Sequence, residues 1–470
     1  MNHCTQTTLS KPALKLLKEL CGSDLMTDKA ERYTYGYDSS RTHFLPDAVV
    51  MARSAEQLTA LVLICGQHNI PLISRGRGTG TCGGSVPIHQ GIVVSFEQMN
   101  KIIKIDPANR YLVAEPGVTN GEIQRAAKEH GFFWAPDPTS AEYCTLGGNL
   151  AYNSAGPRAV KYGTTRDNVL GLKAITGAGQ QIQCGVYTTK GVVGYDLTRL
   201  LIGSEGTLAL FTQATLLLTP LPEKKLTLQL FYDDIYHATL AISSIMASST
   251  TPCALEFMDA AALDLVRQST SQQSLFKIPD QARSLLMVEV DGLANSIADS
   301  ATQIEKSATN PGLLLFQQAA TEEQAAILWQ ARKALSPALR KIAPKKINED
   351  VVVPVSHIPE LIQTLEELAQ QYNIAIVNFG HAGNGNIHVN FLIDPDDPVQ
   401  KENAELCLSK LFDLVLKLDG TLSGEHGVGT EKRDFIDREI DPVTMTLMLQ
   451  IKKVFDPHTI LNPGKIFPEY

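Results

Sequence analysis

The 470-residue sequence lacks several features that would assign it to a class at once. No apolar run reaches the length of about 18 residues that spans a bilayer, so no transmembrane segment is predicted. Positive charge is not in excess: the formal net charge is −9, which gives no electrostatic reason to expect nucleic acid or an anionic membrane as a partner. These absences leave a globular protein of two or three domains as the expectation.

The spacing of the cysteines argues against several kinds of site. Eight are scattered without any C-x-x-C pair, at positions 4, 21, 65, 82, 144, 184, 253 and 407. This spacing disfavours an iron–sulfur cluster or a structural zinc site. Because the N-terminus has no apolar signal-peptide core, we expect reduced thiols and a cytoplasmic protein, with peripheral membrane attachment left open.

Glycine, in contrast, is concentrated in one stretch, residues 70–84, where five glycines fall within nine residues after a strand-like run. Backbone without side chains approaches a ligand closely, and successive amides can bind an anion. The G-x-G-x-x-G pattern at 78–83 needs a following helix to be a dinucleotide fingerprint, and Pro87 and the β-branched residues 92–96 argue against one. No Lys-Ser/Thr pair follows, so the P-loop pattern also fails. We predict a strand–loop–strand phosphate cradle, with a ligand-free surface turn as the alternative.

Strand-like and helix-like segments alternate along the chain, which predicts an α+β fold. Residues 134–168 are rich in Gly, Asn, Ser and Thr and are predicted to form a long ligand-wrapping loop. Residues 201–210 add a third stretch of small residues. After a linker at 219–222 we predict a small antiparallel sheet covered by helices. The predicted divisions are an N-terminal helical segment at 1–45, a first domain at 46–222, a cap at 223–419 and a C-terminal segment at 420–470.

Three histidines and a glutamate lie in two glycine-rich segments of the second half. Residues 374–393 predict a hairpin with His381 at the start of its turn and His388 at its exit. Residues 422–429 add Glu425 and His426. His381, His388 and Glu425 would form a His₂Glu site suited to Zn²⁺ as a Lewis acid, with His426 as a general base. Ordinary surface or core histidines are the open alternative.

Arg332 lies in the helix-like segment 321–335, and Ser336 follows one turn later on the same face. With a nearby lysine, Lys345 or Lys346, these side chains could hold a substrate carboxylate. A solvated amphipathic helix face is the open alternative.

Several long motifs resemble known families. ISRGRGTGTCGGSVP, DPTSAEYCTLGGNLAYNSAGPRAVKYGTTRDN and LIGSEGTLALFTQATL resemble the FAD-binding domain of the vanillyl-alcohol-oxidase and p-cresol-methylhydroxylase type. GHAGNGNIHVN, SGEHGVG and FDPHTILNPGK resemble the C-terminal domain of FAD-linked D-2-hydroxy-acid dehydrogenases. This second group includes D-lactate dehydrogenases, D-2-hydroxyglutarate dehydrogenases and the glycolate oxidase catalytic subunit. The resemblance covers residues 40–468 in order.

The resemblance implies a two-part FAD-binding domain, a cap domain that binds substrate, and a C-terminal helical segment that returns to the FAD domain. It implies non-covalent FAD, because the loop has no histidine and Cys82 does not match a known attachment position. The implied cofactor-binding residues are Arg75, Gly76, Arg77, Gly78, Thr79, Gly80, Gly83, Gly84, Ser85, Pro138, Thr139, Ser140, Gly147, Gly148, Asn149, Asn153, Gly156, Tyr162, Glu205, Gly206, Thr207 and Asn462.

The resemblance also implies a reaction. A D-2-hydroxy acid, D-lactate or D-2-hydroxyglutarate, would be oxidised to the 2-oxo acid by hydride transfer to the flavin. The implied metal ligands are His381, His388 and Glu425, the implied base is His426, and Arg332 is the implied substrate-binding arginine. We also predict Ser336, Lys346 and Asn390 as substrate-binding residues.

The expected electron acceptor is a quinone, a cytochrome or an electron-transfer flavoprotein, and a homodimer is left open. The alternatives are a glycolate oxidase-type subunit of a larger complex, a His₂Glu metallohydrolase, and a flavoprotein subunit that only relays electrons.

Overall fold

The computed structural model describes residues 9–269, 278–339 and 342–469. Residues 1–8 of the predicted N-terminal segment, including Cys4, lie outside these ranges. The chain forms two compact units. The first unit contains the residues up to Ala155, Gly163–Leu221 and the residues from Glu425 onward, and the second contains Gly156–Tyr162 and Pro222–Gly424. The predicted domain boundaries stay a prediction.

The first unit contains a four-stranded sheet, a five-stranded antiparallel sheet and one short strand pair. The four-stranded sheet has the order β1-β2-β4-β3, and its strands β2, β4 and β3 run parallel. Its strands are β1 Leu25–Met26, β2 Ala48–Met51, β3 Leu72–Arg75 and β4 Ile92–Ser95. The five-stranded sheet has the order β5-β6-β10-β8-β9. Its strands are β5 Ile102–Asp106, β6 Tyr111–Ala114, β8 Val169–Thr176, β9 Gln181–Gly185 and β10 Ala209–Leu217, while β7 Phe132–Phe133 pairs with β11 Thr219–Pro220.

Helices of the first unit begin at side-chain caps that the sequence contains. Ser54 accepts the amide of Gln57 at the start of α3, and Thr119 with Glu122 makes both bonds of a capping box at α4. The helices are α1 Lys11–Cys21, α2 Lys29–Tyr33, α3 Ala55–His68, α4 Asn120–Lys128, α5 Leu146–Tyr152, α7 Leu197–Leu201, α14 Ile436–Glu439 and α15 Pro442–Phe455.

The predicted loop at 134–168 is partly wrong, because it contains α5 and, in the second unit, α6 Ala159–Tyr162. The two glycines of α5 disfavour a helix, but Thr145 caps its first turn by accepting the amide of Gly148. Leu146 and Leu150 are then fully buried in the core beside the five-stranded sheet. Capping and burial together outweigh the low propensity of the glycines.

The C-terminal tail completes the core of the first unit. The amide of Leu72 in β3 donates to the carbonyl of Ile460, and the amide of Asn462 donates to the carbonyl of Leu72. Ile460 and Leu461 are buried in the same cluster as α1, α3 and the four-stranded sheet. The chain therefore returns to its first half over more than three hundred residues to close this core.

The second unit is built on one seven-stranded antiparallel sheet of order β15-β12-β14-β13-β17-β18-β16. Its strands are β12 Lys224–Tyr232, β13 Ala254–Met258, β14 Ser284–Gly292, β15 Leu313–Gln318, β16 Lys345–Val352, β17 Ala375–His381 and β18 Asn386–Ile393. The other helices of this unit are α8 Ile235–Met246, α9 Ala260–Ser269, α10 Ile297–Ala308, α11 Glu322–Leu339, α12 Ile358–Tyr372 and α13 Pro398–Lys417. The predicted antiparallel sheet covered by helices, and the α+β class, are confirmed, although the sheet is larger than predicted.

The two faces of this sheet differ in what covers them. Residues paired across strands point to the same face, so Glu256, Met258, Phe379 and His388 share one face. Helices α9 and α11 cover that face through an apolar cluster that includes Leu263, Leu335 and Phe379, as well as further residues of the sheet. On the opposite face Tyr232 donates to the carbonyl of Ala308 in α10.

Two strands of this sheet, β13 and β16, are absent from the sequence-based prediction. Strand β13, ALEFM, is a short buried run that periodicity cannot assign, because it has no alternation of polar and apolar residues. Strand β16, KKINEDVV, is polar in its first half and does not look like a buried strand. Both nevertheless carry residues that matter for the candidate site. In the part of the chain that the structure describes, no helix has the length and apolarity needed to cross a membrane.

Buried Lys452 provides a test of how the tail is held. Its ammonium donates to the carbonyls of Thr207 and Leu461 and to the carboxylate of Asp456, which itself accepts the amides of Ile460 and Leu461. Lys452→Met would leave the Asp456 charge buried without its cation, so we expect a loss of about 3–5 kcal/mol in the free energy of unfolding. Chemical denaturation measures it. Lys453→Met on the exposed side of the same helix is the control, with a change under about 0.5 kcal/mol; equal losses would contradict the buried pair.

Candidate functional site

The glycine-rich loop joins two parallel strands, β3 and β4, and residues 76–91 contain no helix. The predicted strand–loop–strand arrangement is confirmed. Gly78 and Gly83 have positive φ values of 64° and 75°, a region that side chains other than glycine rarely adopt. A Cβ on Gly83 would lie 2.2 Å from the Thr430 hydroxyl, and one on Gly84 would lie 2.2 Å from the Tyr152 hydroxyl. The loop therefore packs tightly against α5 and against the segment that follows Glu425.

Two arginines of this loop have partners within the first unit. The guanidinium of Arg75 is buried and donates to the carbonyls of Tyr37 and Thr34, at 2.5 and 3.3 Å. Burial lowers the pKa of Arg75, against the opposing effect of Asp38 and Glu97. Arg77 is more exposed, with its Nε 3.8 Å from Glu97. Arg75 thus holds the loop to the N-terminal residues.

The segments predicted to line a cofactor meet at Asn462. Its side-chain amide donates to the carbonyl of Gly84 at 2.8 Å and to the carbonyl of Glu205 at 2.7 Å. It therefore joins the C-terminal tail, the glycine loop and the segment at 201–210. Gly147, Gly148 and Asn149 lie in the first turns of α5, which follows the turn at Pro138–Ser140. The first unit thus gathers predicted cofactor residues that are far apart in sequence.

Three buried polar atoms of the first unit fit a polar ligand. Among the described residues, Asp38 Oδ2, Ser204 Oγ and Asn462 Oδ1 are buried without a hydrogen-bond partner. Buried polar atoms in native proteins are almost always bonded, so each of these atoms can bond a ligand group or an ordered water. The cradle of glycines and these atoms together fit a large ligand with phosphates and hydroxyls.

Glu205 and the residues after His426 are directly bonded. The two oxygens of the Glu205 carboxylate accept the amides of Val428 and Gly429, at 2.7 and 2.8 Å. Burial raises the pKa of Glu205 to about 7, although both amide bonds and the cations Lys465 and Lys432 act in the opposite direction. Glu425 and His426 belong to the same unit as Glu205.

Two predicted cofactor residues belong instead to the second unit. Gly156 and Tyr162 are the ends of its first segment, and the Tyr162 hydroxyl donates to Asp291 at 2.8 Å. Lys161 also binds Asp291, at 2.5 Å. Strand β14, which carries Asp291, therefore holds this short segment. Proximity of either residue to a cofactor stays a prediction.

A polar cluster lies on the α9/α11 face of the seven-stranded sheet. The predicted hairpin is confirmed as β17 and β18, although His388 lies inside β18 rather than at the exit of the turn. The rings of His381 and His388 lie 5.2 Å apart at 86°, and a ligand nitrogen of each lies within 4.8 Å of the other. Both residues are only 8% exposed. The hairpin therefore brings the two histidines together, as predicted.

Glu256 is the central residue of this cluster, and the sequence-based prediction missed it. One oxygen lies 2.5 Å from His381 Nδ1 and the other lies 2.7 Å from an Arg332 terminal nitrogen. Burial raises the pKa of Glu256, but its electrostatic interactions with His381 and Arg332 and its hydrogen bond to His381 outweigh burial, so the pKa is lowered overall. The available signal was a glutamate inside the apolar run ALEFM, because a buried carboxylate must be paired.

Arg332 and Asn390 present unbonded atoms in the same region. The Arg332 guanidinium lies 4.6 Å above the Phe379 ring, and its Nε is buried without a partner among the described residues. The Asn390 amide donates to the carbonyls of Val377 and His388, while its Oδ1 is likewise unbonded. Of the two candidate lysines, Lys346 donates to the Ser336 hydroxyl at 2.7 Å. The second unit thus brings together most of the predicted substrate residues.

The chain leads from this cluster directly to Glu425 and His426. Asp350 pairs with His388 across strands, and it accepts the amide of Gly424 and the hydroxyl of Ser423. Glu425 is the next residue after Gly424 and begins the last part of the first unit. Its metal role, and the catalytic role of His426, stay predictions.

Two family models match the chain, and one of them spans residues of both units. The family model described as FAD linked oxidases, C-terminal domain, matches residues 221–466. A second model, described as FAD binding domain, matches residues 46–185. Together they cover most of the chain.

Curated relatives are similar over nearly their full length. The glycolate oxidase subunit GlcD of Bacillus subtilis is 36% identical over 461 residues, covering 98% of this chain and 97% of the relative. The D-lactate dehydrogenase of Archaeoglobus fulgidus is 35% identical over 418 residues, covering 89% of this chain and 90% of the relative.

Solved structures show the same fold. p-Cresol methylhydroxylase matches with a TM-score of 0.78 at 17% identity and covers 98% of both chains. The 4-ethylphenol oxidase from Gulosibacter chungangensis matches with a TM-score of 0.76 at 18% identity and covers 97% of both chains. The predicted p-cresol-methylhydroxylase-type architecture is confirmed.

Gly83 provides a test of the cofactor cradle. Gly83→Ala adds a Cβ that must displace the Thr430 side chain, whereas Gly131→Ala has nothing within 4 Å at a similar positive φ of 80°. Both variants strain the backbone by about 1–2 kcal/mol, so the Gly131 variant controls for this strain and leaves the clash with Thr430 as the difference. We expect only Gly83→Ala to weaken FAD binding, at least tenfold, when FAD is titrated into deflavinated protein. Equal FAD affinity of the two variants would contradict the cradle.

Proposed function

We propose a function from one premise: this chain belongs to the family of FAD-linked oxidases and is an FAD-linked oxidoreductase. From it we infer that the chain oxidises a small 2-hydroxy acid to the 2-oxo acid. D-Lactate and D-2-hydroxyglutarate are the proposed substrates. Glycolate is an equal candidate because two relatives of similar length are named glycolate oxidase subunits, and this chain would then work in a larger complex.

The observation that carries the proposal is the cluster around Glu256. His381 and His388 are buried on one face of the sheet, and buried Arg332 of α11, the helix that covers this face, binds Glu256. A carboxylate substrate needs a buried cation, and removal of hydride from its carbinol carbon needs a polarised hydroxyl. Membership of an FAD-linked family disfavours the metallohydrolase alternative, and the relay alternative is decided by the reduction experiment below.

Bound FAD would supply the hydride acceptor, held non-covalently by the glycine loop, α5, the 201–210 segment and Asn462. The residues of this cradle exclude water from the acceptor and orient it. The fit is supported by the glycine contacts and by the unbonded polar atoms of Asp38, Ser204 and Asn462.

A divalent metal, with Zn²⁺ as the first candidate, would be held by His381, His388 and Glu425. A bound metal would lower the pKa of the substrate hydroxyl. The donor set fits, since two buried imidazoles with ligand nitrogens within 4.8 Å suit a borderline metal. The bond from His381 Nδ1 to Glu256 directs Nε2 toward the ligand role, the usual arrangement for metal-bound histidine.

The remaining roles belong to side chains of this chain. Arg332 binds the α-carboxylate of the substrate. Asn390 accepts a hydrogen bond from the substrate hydroxyl group or orients it. Lys346 and Ser336 suit a second carboxylate, which would favour 2-hydroxyglutarate over lactate. His426 takes the hydroxyl proton at an imidazole nitrogen. A quinone, a cytochrome or an electron-transfer flavoprotein reoxidises the enzyme, in the cytoplasm or at a membrane surface, and the chain works alone, as a homodimer or in a complex.

His426→Ala tests the reaction. Loss of the base should slow flavin reduction about 10²–10⁴-fold while the spectrum of bound flavin stays unchanged. The measurement is anaerobic stopped-flow mixing with D-lactate, D-2-hydroxyglutarate, glycolate and the L-isomers of the two chiral acids. His130→Ala, on an exposed histidine, is the control. Flavin reduction at the wild-type rate in His426→Ala would show that His426 is not the base. If none of these acids reduces the flavin of the wild-type protein, the hydroxy-acid assignment is wrong.

Glu256→Gln tests the metal cluster. Glutamine keeps the shape but turns an NH₂ group toward either His381 or Arg332, so we expect Zn²⁺ affinity to fall about 10–100-fold by titration calorimetry. Glu289→Gln is the matched control, because Glu289 is also buried on this face and accepts the Trp329 indole N–H. Wild type that binds no divalent metal would overturn the metal assignment. Equal affinity of wild type and the Glu256 variant would overturn only the role of Glu256.

A further inference from the structure

Glu205 has an unusual backbone and burial for a glutamate. Its φ is 51°, in the left-handed region that residues with a Cβ avoid, and only 5% of it is exposed. The backbone is held on both sides, since its amide donates to the carbonyl of Ala151 and its carbonyl accepts the Asn462 side-chain amide. A strained backbone conformation persists only where contacts with the surrounding structure hold it in place. Residues in such conformations concentrate at functional sites.

Both oxygens of the Glu205 carboxylate accept hydrogen bonds from one short segment. Oε1 accepts the amide of Val428 and Oε2 accepts the amide of Gly429. A Cβ on Gly427, which has a φ of 87°, would lie 2.7 Å from Oε1, so the backbone of the segment approaches the carboxylate closely. The segment begins with Glu425 and His426, which immediately precede these three residues.

The Glu205 carboxylate is suited to holding the backbone of this segment in place rather than to binding a ligand. A carboxylate that accepts two amides has bonded both of its oxygens and holds two consecutive peptide units in one orientation. Only glutamate supplies two acceptors of this reach: glutamine supplies one, and aspartate is one methylene shorter. The resemblance to the FAD-binding family groups Glu205 with the cofactor, but its side chain turns to the segment after His426.

We propose that Glu205 is a positioning residue that holds the His426-bearing segment in its reactive conformation. This inference rests on the proposed role of His426 as the base. Glu205 touches neither the substrate nor the reacting atoms in this role. It acts through the peptide groups of Val428 and Gly429, which define where the His426 backbone enters the site.

The test is flavin reduction in Glu205→Gln. The variant loses one of two acceptors and turns an NH₂ group toward a backbone N–H, so we expect reduction by the hydroxy acid to slow at least tenfold. FAD affinity should stay within about threefold of wild type, because Asn462 bonds the Glu205 carbonyl, which the substitution keeps. A cofactor-binding role predicts the reverse: weaker FAD and normal reduction of the flavin that remains bound. That result would overturn the inference.

A double variant separates positioning from a general loss of structure. If Glu205 acts through His426, Glu205→Gln/His426→Ala should reduce its flavin no more slowly than His426→Ala alone. Additive losses would show that Glu205 acts elsewhere and would overturn the proposal. Normal reduction in His426→Ala would instead refute the proposed base, which keeps the failure of the proposed function distinct from the failure of this inference.

Asp259→Asn is the matched control for stability. Asp259 is also a buried carboxylate that accepts two backbone amides, those of Ala262 and Asn378, and burial raises its pKa to about 7 as well. It lies in the second unit, whereas His426 belongs to the first. We expect a similar loss of thermal stability in both variants and flavin reduction within threefold of wild type for Asp259→Asn. Equally slow reduction in both would show a structural effect only and would contradict the positioning role.

Discussion

The return of the C-terminal tail to β3 is the constraint on which the first unit depends. The Leu72 amide donates to the carbonyl of Ile460, and the Leu72 carbonyl accepts the amide of Asn462. Lys452 and Asp456 bond to each other and to backbone groups that this return buries. Without the tail, the edge of the parallel strands would expose amides and carbonyls next to the glycine loop. The cofactor cradle therefore exists only in the fully folded unit, because one amide, that of Asn462, joins the loop to the 201–210 segment.

In the second unit, the constraint on which the structure depends is the pairing of buried charges. The layer between this face of the sheet and helices α9 and α11 is mostly apolar, yet it contains Glu256 and Glu289 of the sheet and Arg332 of α11. Isolated charges would be costly in such surroundings, so each has partners. Glu256 binds Arg332 and His381, while Glu289 lies 3.7 Å from Lys225 and 3.8 Å from Arg158 and also accepts the Trp329 indole N–H. These ion pairs hold side chains of the sheet and of α11 in fixed positions, and fixed positions are what the chemistry proposed for this cluster would require.

Much of this could be read from the sequence, because local rules apply to it directly. The side-chain cap at Ser54, the capping box at Thr119, helix α13 and the hairpin of β17 and β18 follow from periodicity and turn residues that act over a few positions. The motifs around the glycine loop and the three histidines indicated the family. Failures came where local signals conflict with packing: α5 forms in spite of its glycines, and β13 has no alternation to reveal it.

By itself the sequence determined the class of fold and the strand–loop–strand arrangement of the glycine loop. Only the tertiary structure decided which side chains share bonds. Glu256 and His381 are separated by 125 positions, and Glu205 and Val428 by 223. No propensity or spacing rule reaches across such distances, because these contacts depend on strand register and on the return of the tail. A shift of one residue in β13 would turn Glu256 to the opposite face of its sheet.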